Sequence, residues 1–116
     1  NNGAAGILLW AVPFQPNDAN VIEANHCYDN QLGIGVSCDK GGPSVNNLTI
    51  HRNVCFDTGA GRNQDYGIQW YVDTVYGGAE FTWSNVRVTY NDVSRNRSGA
   101  WVFDGGVQPY FEGNTV

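Results

Sequence analysis

Apolar and polar residues alternate along this chain in short bursts, and the bursts recur. Three stretches align: "VIEANHCYDNQLGIGV" from Val21, "LTIHRNVCFDTG…YGIQW" from Leu48, and "VRVTYNDVSRNRSGAWV" from Val86. Each reads as a short strand with every second residue apolar, an Asn, an apolar residue two positions on, a polar corner, a Gly, and a second alternating strand. "YFEGNTV" begins a further copy, and "NNGAAGILLW" is the second half of an earlier one. A period of two marks strands with one buried face. The pattern predicts Ile22, Leu48, Ile50, Val86 and Val88 as inward before the Asn. After the Gly it predicts Ile7, Leu9, Ile34, Val36, Ile68, Trp70, Ala100 and Val102 as inward. Leu8, Gln69 and Trp101, then Trp10, Ser37, Tyr71 and Phe103, fall on the outward side.

Two residue types hold this repeat in register. Asn25, Asn53, Asn91 and Asn114 occupy one corner, and Gly6, Gly33, Gly67 and Gly99 each precede the second strand. Asn tolerates the left-handed backbone that a sharp corner needs, and its amide can bond to equivalent neighbours above and below. Self-similarity of this kind signals a solenoid. The joint Asn and Gly columns resemble the right-handed parallel β-helix family, the fold of pectate lyases and other carbohydrate-active proteins, over essentially the whole chain. The resemblance implies an all-β, single-stranded parallel β-helix of about three to four coils with uncapped ends. Residues 1–116 then form one domain, a fragment or stacking unit of a longer solenoid. A β-sandwich would need tight hairpin signals, of which Asp104-Gly105 is the main one here.

Composition narrows the setting. With 41% hydrophobic and 15% charged residues, the chain has enough apolar surface to fold. A net charge of −5, with Lys40 the sole lysine, argues against nucleic acid as a partner. No run of about 18 apolar residues is present, so no membrane span is expected. Neither an initiator Met nor a charged-then-apolar leader is present, so a signal peptide is expected to be absent or already removed. Three cysteines, an odd count, exclude a fully paired framework within the chain. Asn47-Leu48-Thr49 and Asn96-Arg97-Ser98 fit the N-glycosylation pattern. Together these features favour an extracellular protein.

The stretch "LTIHRNVCFDTG" brings His51, Cys55 and Asp57 together in sequence, as a thiol nucleophile and its base would be. The repeat parts them: Cys55 faces inward in a column with Cys27, Val93 and Val116, and His51 faces outward. A nucleophile and its base must lie within hydrogen-bond reach. Cys27 and Cys55 stack on adjacent coils, either as small buried thiols or as a disulfide. The redox state of Cys38 is equally open.

Chemistry is better sought on outward strand positions and in the insertions at 37–47, 58–66 and 72–85. Trp10, Tyr71 and Trp101 are candidate platforms for sugar rings, and Arg62, in the second insertion, is a candidate substrate contact. Asp39, Asp73 and Asp104 end successive strands and, with one residue of slip, make an acidic column. Stacked carboxylates repel, which raises a pKa or attracts a hard cation. They are therefore the catalytic candidates, with Asp73 and Asp104 also candidate Ca2+ ligands, although Asp is equally a turn former at strand ends. Lys40, beside Asp39, and Asp65 are weaker candidates. The chain lacks the Asp-Asp pair and Gly-His-Gly segment of polygalacturonase-like hydrolases. It also lacks the Arg-x-Pro-x-x-Arg stretch of pectate lyases. The expectation is an extracellular polysaccharide-directed protein of lyase or glycoside hydrolase type. The alternative is a non-catalytic structural or adhesive solenoid, forming homo-oligomers through its open ends.

Overall fold

A computed structural model describes residues 5–11, 17–38, 44–60, 64–72, 82–104 and 107–116. Fourteen strands follow one another among these residues, and every pairing between them is parallel. Sheet A contains β1 (Ala5–Ala11), β5 (Leu32–Cys38), β9 (Tyr66–Val72) and β13 (Gly99–Phe103), in that order. Sheet B contains β2 (Asn17–Asp18), β6 (Ser44–Asn46) and β10 (Thr82–Ser84). Sheet C contains β3 (Val21–Glu23), β7 (Thr49–His51), β11 (Arg87–Thr89) and β14 (Tyr110–Glu112). Sheet D contains β4 (His26–Tyr28), β8 (Val54–Phe56) and β12 (Asp92–Arg95). The chain visits A, B, C and D in turn and then rises to the next coil, giving three complete turns and part of a fourth. This is the right-handed parallel β-helix that the repeat implied.

The interior is a set of apolar columns along the helix axis. Ile34, Val36, Val45, Leu48, Ile50, Ile68, Trp70 and Val88 are fully buried. Strand pairing sets Ile22, Ile50 and Val88 in register, with Phe111 next in line. Each coil covers the apolar face of the one before, so neighbouring coils supply the burial that a single coil lacks.

Corners are held by amide ladders. Asn25 Nδ2 donates to Asn53 Oδ1, Asn53 Nδ2 to Asn91 Oδ1, and Asn91 Nδ2 to Asn114 Oδ1, each at 3.0 Å. The backbone N–H of each donor residue points at the same oxygen. The left-handed residue is not the Asn, as the sequence suggested, but the one before it: Ala24, Arg52, Tyr90 and Gly113 have φ of 53–64°. That residue turns the chain, which leaves the following Asn pointing inward to run its amide along the stack. A second ladder stands at the corner leading into sheet A. There, Gln64 accepts from the Asn30 N–H at 3.4 Å and donates to Asn96 Oδ1 at 2.8 Å.

One register differs from the sequence reading. Gly6, Gly33 and Gly67 align as expected, but Gly99 pairs with Tyr66, so Ala100 takes the fourth place in that column. The cause lies in β12, where Asp92 pairs with Val54 but Arg95 pairs with Phe56, leaving one extra residue on β12. Asp92 Oδ1 accepts from the Ser94 hydroxyl at 2.7 Å and from its N–H at 3.2 Å, a local turn that accommodates the bulge. A slip of one residue exchanges the two faces of the next strand. Trp101 therefore pairs with Ile68 and Phe103 with Trp70, on the inward side, while Val102 lies beside Gln69, outward. The glycines of the column have a steric reason. A Cβ at Gly33 would lie 2.5 Å from the Gly67 carbonyl oxygen, and one at Gly67 would lie 2.7 Å from Val93.

Candidate functional site

Sheet A carries an open groove on its outward face. Its strands are the longest, and register sets their outward residues in rows along the helix axis. One row is Leu8, Gly35 and Gln69, continued by Val102. The next is Trp10, Ser37 and Tyr71, with Asp104 following Phe103 on the fourth coil, its N–H donating to the Trp70 carbonyl at 3.0 Å.

Gly35 makes the centre of this face concave. A Cβ there would sit 3.1 Å from Leu8 Cδ1 and 3.3 Å from Ala5 Cβ, so a side chain would fill the hollow. The hollow is an open groove of about 230 Å3 lined by Ala5, Leu8, Gln31, Leu32, Gln69 and Tyr71. An enclosed drug-sized ligand needs about 300 Å3 or more, so the groove suits one unit of an extended ligand. Half-buried Tyr71 lines it, and Trp10, 51% exposed, stands in the adjoining row on the first coil, with buried Ser37 between the two in register. An apolar floor, the Tyr71 ring and two glutamines give ring-stacking surface with hydrogen-bonding partners beside it.

The predicted site residues divide. Trp10 and Tyr71 stand on this face, in one row. Asp104 is exposed and level with Tyr71. Trp101 does not join them: the β12 bulge turns it inward, where it stacks on Phe111 (4.6 Å, 24°) and packs beside Phe103 (6.5 Å). Asp39, Asp73 and Arg62 lie outside the described residues, as does Lys40. Among the described residues no group of three His, Cys, Asp or Glu forms a metal-binding cluster. No helix of the described residues is long and apolar enough to cross a membrane.

The residues of "LTIHRNVCFDTG" separate as the repeat required. His51 lies on the outward side of sheet C, its Nδ1 2.8 Å from Thr89 Oγ1 and its Nε2 3.8 Å from Glu23 Oε1. Cys55 is fully buried on sheet D beside Cys27, and both are free thiols. Asp57 caps a turn, accepting from the Gly59 N–H at 2.7 Å. Of the two glycosylation patterns, Asn96 has its amide committed to the carbonyls of Cys55 and Val93 at 2.9 and 2.8 Å. Asn47 is exposed.

Sequence reasoning missed two features. On the outward side of sheet D, Tyr28 stacks on Phe56 (5.5 Å, 22°), and the Arg95 guanidinium lies 4.9 Å from the Phe56 ring centre. The signal was present, since Tyr28 and Phe56 each stand three residues after a ladder Asn. The Gln64 ladder was likewise announced, because Asn30, Gln64 and Asn96 each precede a column-region Gly by three residues.

Parallel coils and ladders at two corners define a solenoid with an apolar interior. The whole chain, residues 1–116, matches the family model described as "Right handed beta helix region", and the chain belongs to that family. Searches of the curated proteins and of the solved structures returned no match. The family hosts many activities, so function must be argued from the site.

Proposed function

We propose that this β-helix binds an extended polysaccharide along the outward face of sheet A, as part of an extracellular carbohydrate-directed protein. The observation that supports the reading is the groove over Gly35, lined by Tyr71, with exposed Trp10 in the same row as Tyr71. A sugar ring has apolar faces and a polar edge; the groove offers the Tyr71 ring and apolar Leu8 and Leu32 with Gln31 and Gln69 beside them. The row runs across the strands, so a ligand lying along it crosses successive coils at about 4.8 Å each. Turnover rests on carboxylates. Asp104 is exposed at the end of the row, and Asp39 and Asp73 are the partners proposed for acid/base work or, for Asp73 with Asp104, for Ca2+ bound together with an acidic sugar.

Titration calorimetry against neutral and acidic polysaccharides, with and without Ca2+, tests the reading. Binding is expected to weaken about tenfold in Trp10→Ala and in Tyr71→Ala, a loss of about 1.4 kcal/mol each. Binding with released oligosaccharides identifies an enzyme, and binding without them identifies a glycan-binding module. No binding across the panel, or unchanged affinity in both variants, overturns the proposal and leaves the non-catalytic structural solenoid.

A further inference from the structure

Buried sulfur on sheet D has no part in the outward face. Cys27 and Cys55 are in-register partners on adjacent parallel strands, both inward, both free. Parallel neighbours stand about 4.8 Å apart, inside the Cα range of about 4.4–6.8 Å that a disulfide spans. We propose that Cys27 and Cys55 form a reversible disulfide by exchange with a small external disulfide, stapling the first coil to the second.

The two sulfurs have different roles. Cys27 lines an open cleft of about 370 Å3 shared with Gly6, Ile7, Asn25, His26, Tyr28 and Asn30, which gives an external disulfide a route to it. Cys55 is fully buried beneath it, with Gly33 leaving room where a Cβ would come within 2.9 Å of its sulfur. The Cys55 thiol donates to the Cys27 sulfur, which lowers the Cys27 pKa. The same hydrogen bond, then burial, raises that of Cys55. Cys27, the sulfur on the cleft, is the attacking thiolate, and Cys55, fully buried behind it, is the resolving thiol. In the first step the Cys27 thiolate attacks one sulfur of the external disulfide, forming a mixed disulfide and expelling one thiolate. Cys55 then gives its proton to the expelled thiolate, since its sulfur is no longer the donor to a neighbouring thiolate once Cys27 is capped. It attacks the Cys27 sulfur and expels the second thiolate. Two protein thiols are oxidised, and one external disulfide is reduced to two thiols.

The test uses the folded Cys38→Ser protein, which removes the third thiol, treated with oxidised glutathione. The expected product has lost two hydrogens, shows no alkylatable thiol after denaturation without reductant, and gives a Cys27–Cys55 linked peptide on mapping. In Cys38→Ser/Cys55→Ala the reaction stops at a single glutathione adduct on Cys27. Cys38→Ser/Cys27→Ala acquires its adduct on Cys55 slower by on the order of tenfold or more. Two alkylatable thiols persisting after treatment overturn the proposal, as does a bridge that forms only in denaturant. Equal adduct rates at the two sulfurs overturn the assigned roles.

Discussion

Asn53, like Asn91, makes four side-chain hydrogen bonds at a buried ladder corner, and its removal has a calculable cost. Its Nδ2 donates to the Ile22 carbonyl at 2.9 Å and to Asn91 Oδ1 at 3.0 Å. Its Oδ1 accepts from the Asn25 N–H at 3.1 Å and from Asn25 Nδ2 at 3.0 Å. The residue is fully buried, so water cannot replace these partners. Four hydrogen bonds at a net of about 1 kcal/mol each put the cost of Asn53→Ala at about 3–4 kcal/mol. Asn25, at the half-exposed end of the ladder, donates only to Glu23 O and Asn53 Oδ1, and water reaches that corner. Asn25→Ala is expected to cost about 1 kcal/mol. With a urea slope of about 2 kcal/mol/M, the midpoints fall by about 1.5–2 M and about 0.5 M respectively. Asn53→Asp is expected to be at least as harmful as the Ala variant, because it sets a carboxylate oxygen against two acceptors. Equal losses at the two positions, or a loss at Asn53 below about 1.5 kcal/mol, would refute the claim that the buried ladder holds the corner.

Glycine substitutions separate the two faces of sheet A. Gly33→Ala meets the Gly67 carbonyl oxygen at 2.5 Å and is expected to cost about 2–3 kcal/mol in urea unfolding. Gly35→Ala meets the mobile end of Leu8 and should change stability by less than about 1 kcal/mol while shallowing the groove, so calorimetry should register weaker glycan binding. The tryptophans separate likewise: Trp101→Ala, losing its stack on Phe111, is expected to cost about 2–3 kcal/mol, and Trp10→Ala about 0.5 or less. Acid unfolding tests Asp29, whose carboxylate accepts from the Thr58 hydroxyl at 2.7 and 2.9 Å and from its N–H at 2.9 Å, which holds its pKa below the ordinary 3.8. A lowered folded pKa stabilises the fold at pH above the ordinary value, and the contribution is lost as pH falls through the folded one. Thr58→Val should therefore reduce stability at neutral pH and flatten its decline below about pH 4; an unchanged acid limb would count against the bond.

The fold was legible because a solenoid repeats its constraints. Asn25, Asn53, Asn91 and Asn114 each face the same corner, so one sequence column announces a hydrogen-bond ladder four times. Inward apolar residues were legible for the same reason through the first three coils. Reading failed where a coil changed its length by one. Nothing in the periodicity of "NDVSRNRSG" marks the extra residue in β12; only the Asp92 and Ser94 pairing, a turn within the strand, hints at it. Beyond that point Trp101, Val102 and Phe103 changed faces, which is how Trp101 was mistaken for a surface residue and Val102 for core, while Ala100 packs against the core as expected. The groove was illegible for a different reason. It is made by a missing side chain at Gly35 among residues from three coils, and no single stretch of sequence contains it.

The bulge also sets how far the proposed platform extends. Trp10 stands on the first coil and Tyr71 on the third, two strand spacings apart, or about 10 Å. On the fourth coil the slip replaces an aromatic with Val102 beside Gln69, and Asp104 follows Tyr71 in the row, so stacking surface ends at Tyr71. A glycan held by stacking is thus expected to gain affinity with length only until it reaches from Trp10 to Tyr71. A calorimetric series of oligosaccharides should rise steeply over the first few sugar units and then plateau, because longer chains meet no further ring. Affinity that keeps climbing by similar steps past that span would mean that another surface takes part. The Tyr28 and Phe56 stack on sheet D and the exposed Tyr90 and Tyr110 also offer rings; if sheet D takes part, Tyr28→Ala removes the added gain while leaving the short oligosaccharides unaffected.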